Sequence, residues 1–480
     1  MSDTPVWDIL SVLHESSATE KIFIAASLYD KEGALLSGHW GQSVHRLINI
    51  LGHENVFLSI YEDNPDQESR RALYDFEASL PCDSSIKHED YDGSDLQHII
   101  LPDGTRRLRR IAFLAEVRNR ALRPLEDAQS KAFNTTWDKL LYLNDVAFDP
   151  IDAANLLFST NVDESTGKTN YRAACAMDFI NPFKFYDTLA ARDIEGYSMG
   201  VPFYPWFSNA GKAASRHDVL DQKDAVQVKS CWGGMVAFEG KWFQPWVHQP
   251  ASSAEDPSQP PADVEYEPHR GDLLKSRSTE GHEEQGIDAL ARNVQLMTTT
   301  NTTPASPLRF RSETDSYWDA SECCLIHADL ASLVSAGSSS SSVSDQEPAI
   351  FMNPYIRVAY SPSVLRWLPF TSRFERLYTW PHRLINIIAR RPSYNPRQFQ
   401  KEGDEVVDRV WRWDEDSMEA VRNGTIADVE GGMQGRYVSV RRKATAGMFC
   451  GGRRARYALD AKKGDREGHW GAFDAPVDVG

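Results

Sequence analysis

The chain has 480 residues and a mass of 54.1 kDa, enough for one large domain or for a core domain with additions. Its formal net charge of -17 excludes a general nucleic-acid-binding protein, because a phosphate backbone requires a basic protein face. No stretch has the roughly 20 consecutive apolar residues of a membrane-spanning helix, and residues 1–20 lack the basic and then apolar layout of a signal peptide.

Strands and helices are predicted to alternate over the first 180 residues. The predicted order is a strand at 22–28, an amphipathic segment at 44–51, a strand at 55–61, helices at 69–79 and 111–122, and strands at 140–143 and 171–177. This alternation predicts an α/β fold with a largely parallel sheet and helices on both faces.

Three of the predicted strands end on acidic residues, namely Glu62, Asp145 and Asp178. Ligands of parallel sheets bind at the carboxyl ends of the strands, so these three side chains are predicted to share one site. The alternative is that they are polar turn formers, which commonly end strands.

Asp145 and Asp149 are the predicted ligands of a divalent cation, which prefers hard carboxylate oxygens. Asn144 occupies the position where a second acid would complete an acidic pair, so Asp145 is the principal ligand. Asp149 precedes a proline, and an Asp-Pro pair is also an ordinary turn signal.

The second half of the chain predicts several segments of different character. After an N-terminal segment (1–20), the main domain is expected at 21–334, with a disordered acidic insertion at 249–307 that is rich in Pro, Ser and Thr. A Ser-rich linker or loop follows at 335–349, and an irregular C-terminal extension packed on the core at 350–480. The six cysteines show no CxxC metal spacing, and their pairing is left open.

Seven short motifs occur in order between residues 20 and 400: Ser59-Ile60-Tyr61-Glu62, Arg118-Asn119-Arg120-Ala121-Leu122, Leu143-Asn144-Asp145-Val146, Cys175-Ala176-Met177-Asp178-Phe179, Ser230-Cys231-Trp232-Gly233-Gly234, Ser321-Glu322-Cys323 and Asn353-Pro354-Tyr355-Ile356-Arg357-Val358. Through them the chain resembles the fungal capsule-associated α-1,3-mannosyltransferases, glycosyltransferase family 69. The resemblance implies a GT-A-like, Rossmann-type nucleotide-sugar-binding sheet and a Mn²⁺ or Mg²⁺ cofactor. It also implies that mannose is transferred from GDP-mannose to a mannose-containing acceptor in α-1,3 linkage, with retention of configuration.

On the nucleotide side, the resemblance implies a diphosphate contact for Arg118, with Asn119 beside it, and a ribose or base contact for Glu62. A surface ion pair is the alternative for Arg118. His327 is the expected third metal ligand beside Asp145 and Asp149, although a lone histidine is more often a packed or surface residue.

On the sugar side, Asp178 and Glu322 are the expected catalytic residues in contact with the transferred or acceptor sugar. Glu322 has an alternative role as a helix-capping residue. Trp232 is expected to stack on a sugar ring, with Gly233 allowing close approach of the backbone, and a core tryptophan is the alternative. Arg357 has two alternative roles, a contact with the substrate and a structural role.

Two other functions are kept open by the sequence. One is the same fold with a different nucleotide-sugar donor, and the other is a non-catalytic scaffold in polysaccharide or capsule assembly. Members of the family act in the Golgi and secretory pathway behind an N-terminal membrane anchor. No such anchor is present in this chain, so a cytoplasmic location is expected if the chain is complete.

Overall fold

The computed structural model describes residues 20–245, 307–337, 349–425, 433–459 and 470–476. The predicted N-terminal segment, acidic insertion and Ser-rich linker lie outside these residues except at their ends. The described strands are β1 (Ile22–Leu28), β2 (Val56–Asp63), β3 (Asp83–Glu89), β4 (His98–Ile100), β5 (Arg106–Leu108), β6 (Lys139–Leu143), β7 (Ala173–Asn181), β8 (Lys184–Phe185), β9 (Arg192–Asp193), β10 (Val226–Ser230), β11 (Met235–Glu239), β12 (Ile350–Ala359), β13 (Glu405–Trp413), β14 (Gly435–Lys443), β15 (Ala455–Ala458) and β16 (Trp470–Phe473).

The described α-helices are α1 (His39–Leu51), α2 (Gln67–Ser79), α3 (Arg110–Arg120), α4 (Pro150–Phe158), α5 (Ala214–Leu220), α6 (Glu322–Gly337), α7 (Pro362–Thr371), α8 (Thr379–Ile388) and α9 (Glu415–Asn423). Short 3-10 helices are found at Lys31–Gly33, His53–Asn55, Arg123–Leu125, Gly240–Phe243 and Ser372–Tyr378. Among the described helices, none combines the length and the apolar character that crossing a bilayer requires.

Ten strands form a central sheet in the order β3-β2-β1-β6-β11-β7-β12-β10-β9, with β8 paired to β7. The neighbours from β3 to β6 are parallel, and so are β7 and β12. Strand β11 is antiparallel to both β6 and β7, which therefore run in the same direction on either side of it. As a result, the carboxyl ends of β1, β2, β6, β7 and β12 lie along one edge of the sheet.

Helices cover both faces of this sheet because its strands are apolar on both sides. Phe23 and Ala25 of β1 belong to one buried cluster and Ile24 and Ala26 to the other, as the two-residue period of a strand requires. We call the face covered by α3 and α6 the front face, and the face covered by α1, α2 and α4 the back face. The predicted α/β class, with its largely parallel sheet between two helix layers, is confirmed and is consistent with a GT-A-like fold.

The structure does not break at residue 350, where the sequence places the start of a C-terminal extension. Residues Ile350–Ala359 form β12, which lies inside the central sheet between β7 and β10. The partners of β12 precede it by more than 120 residues, so local patterns in the sequence do not reveal this pairing. Beyond β12 the described residues include the helices α7 to α9 and the two strand pairs β13–β14 and β15–β16.

Candidate functional site

The register of the sheet relates Glu62 to Asp145. Leu28 of β1 faces Glu62 of β2, and Ala26 of β1 faces Leu143 of β6. Glu62 and Asp145 therefore both lie two residues beyond the row of Ala26 and Leu143, at the carboxyl edge.

The same register extends across β11 to β7. Met235 of β11 faces Leu143, and the next residue, Val236, faces Cys175 of β7. Asp178, three residues after Cys175, is therefore also two residues beyond the row of Leu143.

Glu62, Asp145 and Asp178 thus lie in one row along the edge, with Asp145 in the middle. Neighbouring strands are about 4.8 Å apart, so Asp145 is separated by two strand spacings, roughly 10 Å, from each of the other two. This row is long enough for an extended ligand whose central part lies at Asp145.

Asp145 belongs to a group of side chains that we call the acidic cluster, formed by Asp145, Asp178, Asp187 and Tyr360. Backbone hydrogen bonds between Ala147 and the last residue of β12 bring Tyr360 beside Asp145. The Tyr360 hydroxyl donates to Asp178 Oδ2 at 3.0 Å, and the backbone N–H of Asp187 donates to Asp178 Oδ1 at 3.0 Å. Asp178 is 1% exposed, whereas Asp145 is exposed to solvent.

Burial and neighbouring charges raise the pKa values of several members of the acidic cluster. Burial, together with the neighbouring charge of Asp187, raises the pKa of Asp178 to about 7. Burial also raises the pKa of Asp187, although Arg192 acts in the opposite direction. The pKa of Tyr360 is raised by burial and by the charges of Asp178 and Asp145. Asp145, the exposed carboxylate of this cluster, offers a hard oxygen to a divalent cation such as Mn²⁺ or Mg²⁺, which commonly binds one or two protein carboxylates together with substrate phosphates.

Glu62 lies at the other end of the row in a second acidic environment. Its Oε1 accepts a hydrogen bond from the backbone N–H of Asp30 at 2.9 Å, and its buried Oε2 has no hydrogen-bond partner among the described residues. The carboxylate of Asp30 accepts from the N–H groups of Leu35 and Leu36. Burial raises the pKa of Glu62 to about 8, although the hydrogen bond from the Asp30 backbone acts in the opposite direction. An unsatisfied buried acceptor at a sheet edge suits a hydroxyl group of a ligand.

On the front face, a buried group that we call the arginine network consists of Arg118, Asn144, Trp232 and Glu322. The Arg118 Nε donates to Glu322 Oε1 at 3.1 Å, and its Nη1 donates to Asn144 Oδ1 at 3.0 Å. The same Asn144 oxygen accepts from the Trp232 indole at 3.2 Å. The Arg118 guanidinium also lies 4.6 Å from the centroid of the Trp232 ring, a cation–π contact.

Asn144 and Asp145 therefore do not act together as an acidic-pair motif would. The Asn144 side chain belongs to the front face with the arginine network, whereas Asp145 interacts with Tyr360, whose ring packs on the back-face cluster. Consecutive residues of an extended chain point to opposite sides, which accounts for this division.

The arginine network changes three of the sequence predictions. Arg118 is 8% exposed and is paired with Glu322, so the predicted diphosphate contact is not available in this conformation. Trp232 is 4% exposed and one ring face is covered by Arg118, so it is a core residue and not a sugar-stacking platform. Glu322, the first residue of α6, is 3% exposed and faces Arg118 instead of open space, although its charge acts on Asp187.

Two further predicted residues have local structural roles. Asp149 is the N-cap of α4, where its carboxylate accepts from the N–H of Ile151 at 2.8 Å, so its prediction as a metal ligand gives way to a capping role. The Asn119 side chain both donates to and accepts from the backbone of Phe310, at 2.8 Å each, which leaves its amide committed to that segment instead of to a nucleotide.

His327 lies in the core of the front face and not at the row of acids. Its ring stacks on Phe238 at 5.4 Å, and its Nε2 is 3.9 Å from the sulfur of Cys175, which precedes Asp178 by three residues. Burial lowers the pKa of His327 to about 4, so the ring is neutral. The structure therefore does not bring His327, predicted as a third metal ligand, together with Asp145. Cys175 and Cys231 also approach His327, but their sulfur atoms form a disulfide and are not available as thiolates.

Arg357 and Gly233 complete the predicted set. The Arg357 guanidinium donates to Glu375 Oε1 at 2.8 Å and to a backbone carbonyl, which supports the structural role over the substrate contact. Gly233 has a φ of +59°, and a Cβ atom there would lie 1.9 Å from the carbonyl oxygen of Ala176. The N–H of Gly233 donates to Asp187 Oδ2 at 3.3 Å, so this turn contacts the acidic cluster through its backbone.

Three residues of the site were not identified from the sequence. Asp30 lies two residues after the end of β1, as Asp145 lies two residues after the end of β6, so the search for acids at strand ends would have found it. Tyr360 directly follows β12, and the same search extended to hydroxyl groups would have found it. Asp187 lies in a loop after β8, and no local pattern distinguishes it from an ordinary loop acid.

Comparison with known proteins matches residues 21–329 to the family described as Cryptococcal mannosyltransferase 1. No curated protein sequence matches the chain significantly. A similar solved structure is the mannosyltransferase PcManGT from Pyrobaculum calidifontis in complex with GDP-Man and Mn²⁺. The two chains are 8% identical, the alignment covers 82% of this chain and 75% of that one, and the TM-score is 0.30. No residue role is transferred from a similarity at this level. The family match covers well over half of the sequence and confirms the resemblance seen in the motifs, so the chain belongs to the Cryptococcal mannosyltransferase 1 family.

Proposed function

We propose that the protein is a metal-dependent, retaining glycosyltransferase that transfers mannose from GDP-mannose to a mannose-containing acceptor in α-1,3 linkage. Membership of a mannosyltransferase family supports the mannosyl transfer. The donor nucleotide, the linkage and the retention of configuration are taken from the resemblance of the motifs.

The observation that carries the proposal is the row of Glu62, Asp145 and Asp178 at the carboxyl edge of the sheet. Its middle member is an exposed carboxylate, and its two outer members are buried carboxyl groups with raised pKa values. A nucleotide sugar has three matching parts, which are a nucleoside, a diphosphate that binds a cation, and a sugar.

In this arrangement Glu62 accepts or donates a hydrogen bond at a ribose hydroxyl or the base, through the oxygen that has no partner among the described residues. Asp145 holds the divalent cation. When bound, the cation supplies positive charge that offsets the charge developing on the departing diphosphate. Asp178 in its ionised form orients the transferred or acceptor sugar, and Tyr360 and the backbone of Asp187 hold its carboxylate in place.

The positions of Glu322 and Asp178 favour one of the two ways in which the anomeric configuration of mannose is retained. A double displacement needs a carboxylate that can reach the anomeric carbon. Glu322 is buried in its pair with Arg118, and both oxygens of Asp178 accept hydrogen bonds. We therefore favour same-face attack, in which the departing phosphate removes the proton of the acceptor hydroxyl and these side chains position the reactants.

The proposal is tested by incubating the protein with GDP-mannose, MnCl₂ and α-mannobiose, and by measuring release of GDP and the linkage of the trisaccharide. Asp145→Asn is expected to reduce transfer by at least about 100-fold, since charge stabilisation at a leaving group contributes several kcal/mol. Asp149→Asn is the matched control. It makes the same chemical change four residues away, and asparagine keeps the helix cap, so activity should be unchanged.

The outcomes distinguish the alternatives left open by the sequence. Full activity of Asp145→Asn would refute the role of Asp145. Transfer from another nucleotide sugar, but not from GDP-mannose, would change the donor. If neither GDP nor UDP raises the melting temperature in the presence of Mn²⁺, and no transfer is detected, the chain is a non-catalytic scaffold.

A further inference from the structure

Helix α8 has the reverse of the usual arrangement of a surface helix. Its only buried residues are polar, His382 and Asn386. The ring of His382 accepts hydrogen bonds from Arg216 at 2.9 Å and from Asn386 at 3.0 Å, and Asn386 in turn accepts from the N–H of Val201 at 2.7 Å. A surface helix of a soluble protein normally turns its apolar side to the core and its polar side to water.

The outer side of α8 is apolar and open. Trp380 is 83% exposed, and Leu384, Ile387 and Ile388 are each more than 60% exposed. The pattern continues into the preceding 3-10 helix (Ser372–Tyr378), which has no buried residue. More than half of the exposed large apolar side chains in the described parts of the chain lie between residues 367 and 399. We call this region, 362–399, the apolar surface.

The apolar surface is also strongly basic in an otherwise acidic protein. Residues 362–399 contain seven arginines and a single acid, Glu375, whereas the whole chain has a net charge of -17. Six of the arginines are exposed, and the seventh, Arg397, is buried in ion pairs. Exposed tryptophan and aliphatic side chains surrounded by arginines are typical of helices that lie in the interface of a membrane.

We propose that the apolar surface docks the protein onto the surface of an anionic lipid bilayer. The apolar side chains of α8 and of the 3-10 helix enter the boundary between headgroups and acyl chains, and the arginines bind the lipid headgroups. A local excess of positive charge on one surface allows a chain of net negative charge to approach such a membrane.

A second copy of the chain is a poorer fit to this surface. Symmetric dimers use the same patch on both subunits, so self-association would bring two sets of six exposed arginines together. Like charges that face each other across an interface are unfavourable, whereas anionic lipids neutralise them.

The apolar surface is attached close to the acidic cluster. The Thr371 hydroxyl donates to the carbonyl of Pro182, four residues after Asp178, at 2.8 Å, and Glu375 pairs with Arg357 of β12 at 2.8 Å. A membrane bound at this surface would therefore lie on the side of the sheet edge that carries Asp178. The docking proposal does not depend on the proposed function, because it concerns a different set of side chains.

The test is co-sedimentation of the full chain with vesicles of phosphatidylcholine, with and without phosphatidylserine. We expect binding to the vesicles that contain phosphatidylserine, weakening as salt is added. The triple variant Leu384→Ser, Ile387→Ser, Ile388→Ser should bind at least about 100-fold more weakly. Arg383→Gln with Arg390→Gln should reduce binding to anionic vesicles by roughly 25-fold, since each arginine contributes about fivefold.

The matched control replaces three exposed apolar residues elsewhere, Tyr74→Ser, Ile151→Ser and Val407→Ser, and should bind like the unmodified chain. Circular dichroism checks that each variant is folded. The proposal is overturned if the unmodified chain stays in the supernatant with anionic vesicles, or if the triple variant binds as well as the control. Sedimentation velocity adds a separate outcome: a dimer that dissociates in the triple variant, without vesicle binding, would make a second copy the occupant.

Discussion

Glu62→Gln should make the protein more stable, and by an amount that depends on pH. Burial raises the pKa of Glu62 from 4.5 to about 8. Below about pH 4.5, Glu62 is protonated in both the folded and the unfolded chain, so it has no effect on the pH dependence. Between about pH 4.5 and 8 the folded protein holds a proton that the unfolded chain has released, so the free energy of unfolding falls as the pH rises.

The size of this effect follows from the two pKa values. A pKa difference of one corresponds to about 1.4 kcal/mol, so ionisation of buried Glu62 removes on the order of 4 kcal/mol of stability by pH 8. Glutamine has nearly the same shape, cannot ionise, and keeps an oxygen that accepts from the N–H of Asp30. The variant should therefore match the unmodified protein near pH 5 and exceed its stability by about 4 kcal/mol near pH 9.

Urea unfolding followed by tryptophan fluorescence at several pH values measures this difference. Other buried carboxyl groups, such as Asp178, titrate in both proteins, so their contributions cancel when the two are compared. Glu68→Gln, at an exposed position of α2, is the control and should give no pH-dependent difference. A stability difference for Glu62→Gln that does not grow between pH 5 and pH 9 would refute the reasoning.

Three shorter predictions concern the two faces of the site. Gly233→Ala should lower the free energy of unfolding by about 3 kcal/mol, because its Cβ would meet a backbone carbonyl. Gly167 is also at positive φ but lies in open space, so Gly167→Ala should lower the free energy of unfolding by less. Thermal denaturation of both variants measures the difference. Arg118→Met should cost about 3–5 kcal/mol in urea unfolding by leaving a buried carboxylate unpaired, and a cost below about 1 kcal/mol would contradict the buried pair. Tyr360→Phe removes a hydrogen bond that lowers the pKa of Asp178. The acid limb of the pH–activity profile should therefore move to higher pH. An unchanged acid limb would argue against a role for ionised Asp178 in the transfer.

The elements with strong local patterns were predicted well from the sequence. Strand β1 has the predicted bounds because a continuous apolar run, Ile22–Leu28, is bordered by polar residues. Helix α2 begins two residues before its predicted start because Asp66 caps it, a preference readable from residue type. Strand β7 was predicted to end before Asp178 but continues to Asn181, since Phe179 remains buried and pairs with β8.

The parts that could not be predicted depend on contacts between distant residues. Arg118 and Glu322 are 204 positions apart, and nothing in either neighbourhood indicates their pairing. The expected role of Trp232 failed for the same reason, because only the folded chain shows that Arg118 covers its ring. The division between Asn144 and Asp145, in contrast, follows from the two-residue period of an extended chain and is available from the sequence.

The antiparallel strand β11 has a consequence for how this protein folds. Among the described strands, β11 (Met235–Glu239) joins the half of the sheet from β3 to β6 to the half that begins with β7, and a bridge between Ala147 and Ala359 adds a contact beyond the end of β6. A growing chain makes β6 and β7 before it makes the strand that joins them, and β12, which completes the second half beside β7, follows later. Strand β11 therefore has to pair with two strands that are already present. The loops that close at this step are long, since β6 and β7 precede β11 by roughly 95 and 60 residues, and such closures are slow. Joining of the two halves is thus expected late in folding, and until it occurs the inner edges of β6 and β7 are open to pairing with other chains.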